Sequence, residues 1–133
     1  MTGEPAFTIV PGLWEPLAAV AGHSGAEGID RLLLATNASV PGRSFHVAAH
    51  LVGDGFVPSA DFAFTERQRH PFDEINVLIP NGGPFRYRYE VEGEIRIAEG
   101  PCSVFLPAGV EHRMEPIEGT GVFLCIKLDR TRP

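Results

Sequence analysis

The chain has 133 residues and a formal net charge of -6, and 44% of its residues are hydrophobic against 21% charged. This length and hydrophobic content allow one domain with a buried core, and they argue against disorder. Because an acidic chain is repelled by phosphate backbones and anionic lipid headgroups, nucleic acid and membrane surfaces are not expected as partners.

The N-terminal forty residues carry the weakest structural pattern. Pro16 can begin a short helix with three apolar residues on one side, namely Leu13, Leu17 and Val20. The apolar run 32–34 is too short to assign. The sequence shows neither a basic leader followed by an apolar stretch nor an apolar run of bilayer-spanning length, so we expect a cytoplasmic protein. Cys102 and Cys125 lie in apolar runs, which is typical of reduced, buried thiols.

From residue 44 onward the pattern indicates β-structure. Short apolar or alternating stretches are separated by turn clusters at residues 53–55, 81–84 and 92–93. Many short strands at close spacing predict an antiparallel sandwich or barrel with a lined interior. We expect one domain over residues 1–133, with an N-terminal extension and strands in 1–43 and the barrel core in 44–128.

Two predicted strands have a readable phase. In residues 61–70, Phe62 and Phe64 occupy the same face as Gln68 and His70, because alternate side chains of a strand point to one side. In residues 85–91, the aromatic positions alternate with charged ones. The first strand therefore directs Gln68 and His70 inward, and the second directs two tyrosines inward.

Two segments carry the candidate chemistry, residues 68–74 (Gln-Arg-His-Pro-Phe-Asp-Glu) and residues 107–112 (Pro-Ala-Gly-Val-Glu-His). They resemble the two sequence motifs of the cupin superfamily, and the His-Pro-Phe-Asp-Glu wording is similar to small single-domain cupins. His70 matches the second histidine of the first motif, Glu74 its glutamate and His112 the histidine of the second motif. Gln68 stands where the first motif has its leading histidine. The resemblance implies an all-β, cupin-type antiparallel barrel, or jelly roll, and a homodimer.

The resemblance also implies one divalent metal ion held by His70, Glu74 and His112. Two imidazoles and a carboxylate are the facial arrangement that holds non-haem Fe(II) and leaves positions open for substrate and dioxygen, so Fe(II) is favoured. The same donors can hold Mn, Ni, Zn or Cu. Gln68 could add a weak fourth ligand or donate a hydrogen bond to bound water or substrate. The alternative for each histidine is a hydrogen-bonded core residue.

Further residues are candidates for catalysis or for the substrate pocket. Tyr87 and Tyr89 either contact substrate as catalytic residues or are core aromatics whose hydroxyls find partners. Glu66 shares the phase of Gln68 and is either a general base or a solvated carboxylate at the rim. The pocket wall is expected to include Phe62, Phe64 and Asn76.

The remaining histidines are assigned no chemistry. His46 and His50 share one face of a predicted strand over residues 44–52, whose other face is entirely apolar. They are therefore expected at the surface or in a subunit contact. His23 lies in a glycine-rich stretch and is expected in a loop.

Three functions remain open at this point. The first is a metal-dependent enzyme acting on a small organic molecule, with an Fe(II) oxygenase preferred by analogy with the superfamily. The second is a redox-neutral isomerase, decarboxylase or lyase, in which the metal polarises a carbonyl. The third is a non-catalytic barrel that binds a small metabolite.

Overall fold

The computed structural model describes residues 7–19, 23–36, 38–40 and 42–128. These residues form nine strands and one 3-10 helix, Leu17–Ala19. The strands are β1 (Leu13–Glu15), β2 (Ile29–Ala35), β3 (Phe45–Val52), β4 (Asp73–Pro80), β5 (Arg86–Val91), β6 (Glu94–Glu99), β7 (Cys102–Leu106), β8 (His112–Glu118) and β9 (Gly121–Leu128).

The strands build two antiparallel sheets. The larger sheet has the order β1-β2-β3-β9-β4-β7, and the smaller has the order β6-β5-β8. In the larger sheet β9 lies between β3 and β4, although it is the last strand of the chain. The predicted all-β antiparallel fold is confirmed, and the expected turns at 81–84 and 92–93 connect β4 to β5 and β5 to β6.

The inner faces of the two sheets supply the core. The predicted phase of residues 85–91 is confirmed, because Phe85, Tyr87 and Tyr89 are all buried. The ring of Tyr87 stacks on Phe123 of β9, with 4.6 Å between centroids. Burial of such rings stabilises the fold by about 25 cal/mol for each Å² of apolar surface removed from water. Contacts of this kind join the smaller sheet to the larger one.

The prediction of a strand over residues 61–70 is wrong. This segment bends at residues 61, 63 and 64 and makes only two isolated bridges among the described residues, Thr65 with His23 and Gln68 with His112. The carboxylate of Glu115 instead accepts the backbone N–H groups of residues 63–65, at 2.8–2.9 Å. Since a sheet neighbour would need those same donors, the carboxylate replaces a strand partner. We name residues 61–70 the bridging segment.

The N-terminal part adds to the larger sheet. Leu13 lies in β1 and not in a helix, and the unassigned run 32–34 lies within β2. The helical part is limited to the 3-10 turn, where Leu17 is buried in the core. Val20 lies outside the described residues. The strands β1 and β2 thus form one edge of the larger sheet.

The outer face of the larger sheet exposes apolar side chains to solvent in the single chain. Ile79 of β4 and Phe105 of β7 are 48% and 60% exposed, and Ile75 beside Phe105 is half-buried. The expected homodimer stays a prediction, with this face as its natural contact. In the part of the chain that the structure describes, no helix has the length and apolar character needed to cross a bilayer.

Candidate metal centre

The two motif segments meet at one end of the inner cavity. Glu74 is the second residue of β4, His112 begins β8, and His70 lies just before β4. Backbone and side-chain hydrogen bonds join the loop before β8 to this region: Gly109 N–H donates to the His70 carbonyl, and Ala108 N–H donates to Asp73 Oδ1. Gly109 has φ +89°, a left-handed conformation that favours glycine. The Pro-x-Gly turn therefore holds His112 close to His70.

The three side chains bring their donor atoms together. His112 Nε2 lies 3.5 Å from Glu74 Oε1, and His70 Nε2 lies 3.9 Å from the same oxygen. All three donor atoms lie within 4.8 Å of one another. Atoms bound to one ion at about 2.1 Å are separated by roughly 3 to 3.5 Å, so binding requires only a small inward movement. The residues therefore fit a small divalent cation.

Neighbouring groups orient these donors. Asn76 donates its side-chain amide to Glu74 Oε2 at 2.8 Å, and the Tyr89 hydroxyl donates to Asn76 Oδ1 at 2.8 Å. His112 Nδ1 lies 3.1 Å from the Val110 carbonyl, which accepts its proton and leaves Nε2 facing Glu74. Glu74 Oε1 is buried and has no hydrogen-bond partner. A buried carboxylate oxygen without a donor is costly, and a cation at this position removes that cost.

The electrostatics of the pair agree with this geometry. Burial alone would raise the pKa of Glu74, but His112 and then Asn76 outweigh it and lower that pKa to about 2. Burial lowers the pKa of His112, whereas the Glu74 carboxylate outweighs it and raises that pKa. Burial, followed by the charge of Lys127, lowers the pKa of His70 to about 4. His70 is thus neutral near pH 7, as a metal ligand must be.

The donors line a cavity of about 140 Å³, which we name the central cavity. Two of the other predicted residues, Gln68 and Glu66, also line it. Glu66 is exposed, whereas Gln68 is half-buried and exchanges two backbone hydrogen bonds of 2.8 Å with His112. Because directly opposed residues of an antiparallel pair share a face, the Gln68 side chain lies beside the His112 ring.

The other predicted pocket residues lie away from the central cavity. Asn76 is fully buried behind Glu74, and Tyr89 lies behind Asn76, so both position the carboxylate from the core side. Tyr87 borders a separate void of about 20 Å³, and its buried hydroxyl has no protein partner. That void is large enough for one water. None of these three residues lines the central cavity.

The two phenylalanines also occupy other positions. Phe64 is buried and packs edge-on against Phe56, at 5.9 Å between centroids. Phe62 is half-buried under the Arg113 guanidinium, which lies 4.1 Å from its ring centroid. Neither ring borders the central cavity.

Sequence reasoning missed several residues of the central cavity. The predicted surface position of His50 is wrong, since this residue is 7% exposed and, like His46, lines the cavity. Arg31 of β2 donates to His50 Nε2 at 2.9 Å and lies 3.5 Å from His46 Nε2. His23 forms a bridge to Thr65 and also borders the cavity. A wall of imidazoles therefore faces the metal donors.

Cys125 is a further cavity residue, which sequence reasoning assigned only to the core as a reduced, buried thiol. The thiol lies on the inner face of β9, and the residue is 8% exposed. Burial raises its pKa well above the ordinary value, and the Glu74 carboxylate adds to this. Cys102 is also a free cysteine. Because the thiolate is the nucleophilic form, the protonated Cys125 lines the cavity and does not act as a nucleophile.

Replacing Gln68 by histidine is expected to tighten divalent metal binding about tenfold, because it adds an imidazole beside His112. Calorimetric titration of the metal-free protein with Ni(II) measures this change. Arg67→His is the matched control, since Arg67 donates to Glu90 on the other side of the segment. Equal metal affinities for Gln68→His and Arg67→His would show that position 68 does not face the ion.

The two facing antiparallel sheets around a lined interior define a β-barrel of the cupin type, and the chain has the cupin fold. A cupin-like protein from Thermotoga maritima superposes with a TM-score of 0.60 at 19% identity, covering 77% of this chain and 70% of that one. KdgF from Halomonas sp. gives 0.55 at 18% identity, covering 77% and 80%.

The same fold is found in an enzyme. Hydroxypropylphosphonic acid epoxidase from S. wedmorenis gives a TM-score of 0.52 at 15% identity, and the match covers 77% of this chain and 51% of the epoxidase. At these identities the similarity concerns the fold. No protein-family profile and no curated protein matches the sequence.

Proposed function

We propose that the protein is a metal-dependent enzyme that converts a small organic molecule, with one divalent ion held by His70, Glu74 and His112. The observation that carries this proposal is the buried Glu74 Oε1, which lacks a hydrogen-bond donor and lies between the two imidazole nitrogens. Carboxylates buried without a cation or donor are rare because their desolvation is costly. A divalent ion is the partner that this donor set selects.

Fe(II) is the ion we favour, and an oxygenase is the activity that follows. Two histidines and one carboxylate leave coordination positions open, where bound Fe(II) supplies redox chemistry with dioxygen. The chain's own residues do the remaining work. Asn76 holds Glu74 in one orientation, Val110 fixes the tautomer of His112, and Phe72 stacks on His70 at 4.9 Å. Gln68 can donate a hydrogen bond to a substrate held beside His112.

A redox-neutral isomerase, decarboxylase or lyase is the second candidate, and the position of His46 favours it. Burial lowers the pKa of His46, and this imidazole lines the central cavity without belonging to the donor set. A neutral imidazole at that position can accept a proton from a substrate. Exposed Glu66 at the cavity rim is the other candidate base. With Mn, Ni or Zn bound, the site would polarise a carbonyl without changing oxidation state.

Metal analysis followed by assay of the reconstituted protein tests the proposal. Protein purified without chelator is analysed by mass spectrometry of its metals, then stripped and reconstituted anaerobically with Fe(II), Mn(II), Ni(II) or Zn(II). Less than about a tenth of an equivalent, not restored by any of these ions, would contradict the enzyme and leave a metal-free binding protein. Oxygen uptake by the Fe(II) form on addition of small hydroxy acids or diketones supports the oxygenase. Conversion of the same compounds without oxygen supports the second candidate.

A further inference from the structure

Lys127 is the only lysine of the chain, and it lies on the inner face of the larger sheet. In the β-sheet register it pairs directly with His46 of β3 on one side and with Glu74 of β4 on the other. Side chains opposed in this way have Cβ atoms about 5 Å apart and point to the same face. The ammonium group therefore enters the central cavity next to the candidate metal ligand.

Lys127 has no carboxylate partner in the described part of the chain, although Glu74 is its sheet neighbour. Glu74 Oε2 accepts the amide of Asn76, and Oε1 faces the two imidazoles. The ammonium lies over the ring of Phe72, with 5.7 Å between Nζ and the ring centroid. Lysine seldom lies at an inward-facing position without an ionic partner, because burying its charge is costly. The ammonium charge of Lys127 is therefore available to bind an anionic ligand.

The other two cations of the cavity wall are already paired. Arg31 donates to Glu15 at 2.6 Å, and Arg113 donates to Glu90 at 2.9 Å. Because each guanidinium is neutralised by a carboxylate, the two arginines exert little net electrostatic attraction on a molecule inside the cavity. With a divalent ion bound, Glu74 balances one of its two charges, and Lys127 adds a further positive charge. A cavity of positive charge in a protein of net charge -6 selects an anion.

We propose that Lys127 binds the carboxylate of a small anionic substrate and holds it against the metal ion of the central cavity. This inference rests on the proposed function, because the metal ion supplies the second positive charge. The volume of about 140 Å³ is below the usual range for drug-sized ligands, so the substrate has few heavy atoms beyond the carboxylate.

A carboxylate fits this cavity better than a phosphate group. Besides lysine and metal ions, phosphate sites commonly use helix N-termini, runs of backbone N–H groups or the two-pronged guanidinium of arginine. Among the described residues, the cavity is lined by strands, by the bridging segment and by His23, and its arginines are already paired. The two oxygens of one carboxylate can contact the ammonium of Lys127 and the metal ion at the same time.

The test compares glycolate with its neutral amide, glycolamide, which has almost the same shape. Each is titrated calorimetrically into parent protein, Lys127→Gln and Lys127→Arg, both after Mn(II) loading and after removal of metal. Arg96→Gln is the matched control, because it removes a positive charge from the exposed outer strand β6. Metal content is measured for every sample before titration.

We expect Lys127→Gln to weaken glycolate binding at least about tenfold, to leave glycolamide binding unchanged and to leave Mn(II) binding equal or tighter. Lys127→Arg should retain most of the glycolate affinity, and Arg96→Gln all of it. Glycolate binding that is equally tight in Lys127→Gln and parent would overturn the inference while leaving the metal site intact. If no variant binds metal, the proposed function fails, and the metal-free titrations still decide whether Lys127 recognises the carboxylate.

Discussion

Glu115→Gln is expected to lower the free energy of unfolding by about 3 kcal/mol. The carboxylate of Glu115 is buried, with 2% exposure, and accepts the N–H groups of Ala63, Phe64 and Thr65. It also accepts the Thr65 hydroxyl at 2.8 Å. Glutamine has the same shape, but its NH2 group cannot accept these bonds, and it removes the negative charge that strengthens them. Denaturant unfolding followed by circular dichroism measures the difference.

Glu118→Gln is the matched control for this prediction. Glu118 ends the same strand, β8, and pairs with Arg86 at the exposed surface, so we expect a change within about 0.5 kcal/mol. The bridging segment also carries Gln68 and His70, and therefore Glu115→Gln should weaken metal binding as well. A free energy of unfolding within 1 kcal/mol of the parent would show that the carboxylate does not support the segment.

The metal donors could be predicted because each motif is local in sequence. His70 and Glu74 are four residues apart, and the turn at Gly109 places His112 by a conformation that glycine favours. The alternation of aromatic and charged residues in β5 similarly assigns its buried face. In these cases the physical determinants lie within a few residues of the position predicted.

The opposite wall of the central cavity could not be predicted in this way. β3 lies between β2 and β9, and both of its faces carry apolar residues. Hydrophobicity alone predicts that the more apolar face packs on the core, whereas the structure turns His46 and His50 inward. Their environment depends on Arg31, and the position of Lys127 depends on β9 inserting between β3 and β4. Such pairings join distant parts of the chain, and no local pattern encodes them.

The bridging segment failed as a predicted strand for a similar reason. Its alternation is partly present, because Phe64 is buried and Arg67 and Arg69 are exposed. Thr65 is buried against expectation, since both its N–H and its hydroxyl donate to Glu115. A carboxylate fifty residues away in sequence takes the hydrogen bonds that a neighbouring strand would otherwise make. Alternation alone does not distinguish these two partners.

His112→Ala and His70→Ala are each expected to abolish stable metal binding, with occupancy below roughly a tenth of an equivalent under conditions that saturate the parent. Each change removes one imidazole from a set of three protein donors and leaves Glu74 with a single nitrogen partner. Metal content after gel filtration measures the loss. Thermal unfolding gives a second readout, because an ion at about one hundred times its dissociation constant stabilises the parent by about 2.7 kcal/mol and should not stabilise the variants.

His46→Ala is the matched control for both ligand variants. His46 lines the same cavity and is half-buried like His70, but it does not belong to the group of donor atoms within 4.8 Å. This variant should keep its metal and the rise in thermal midpoint that the metal produces. If His112→Ala retains full occupancy while His46→Ala loses it, the ion is held by the imidazole wall around Arg31. In that case the assignment of His70, Glu74 and His112 as ligands is wrong, and the buried Glu74 requires another explanation.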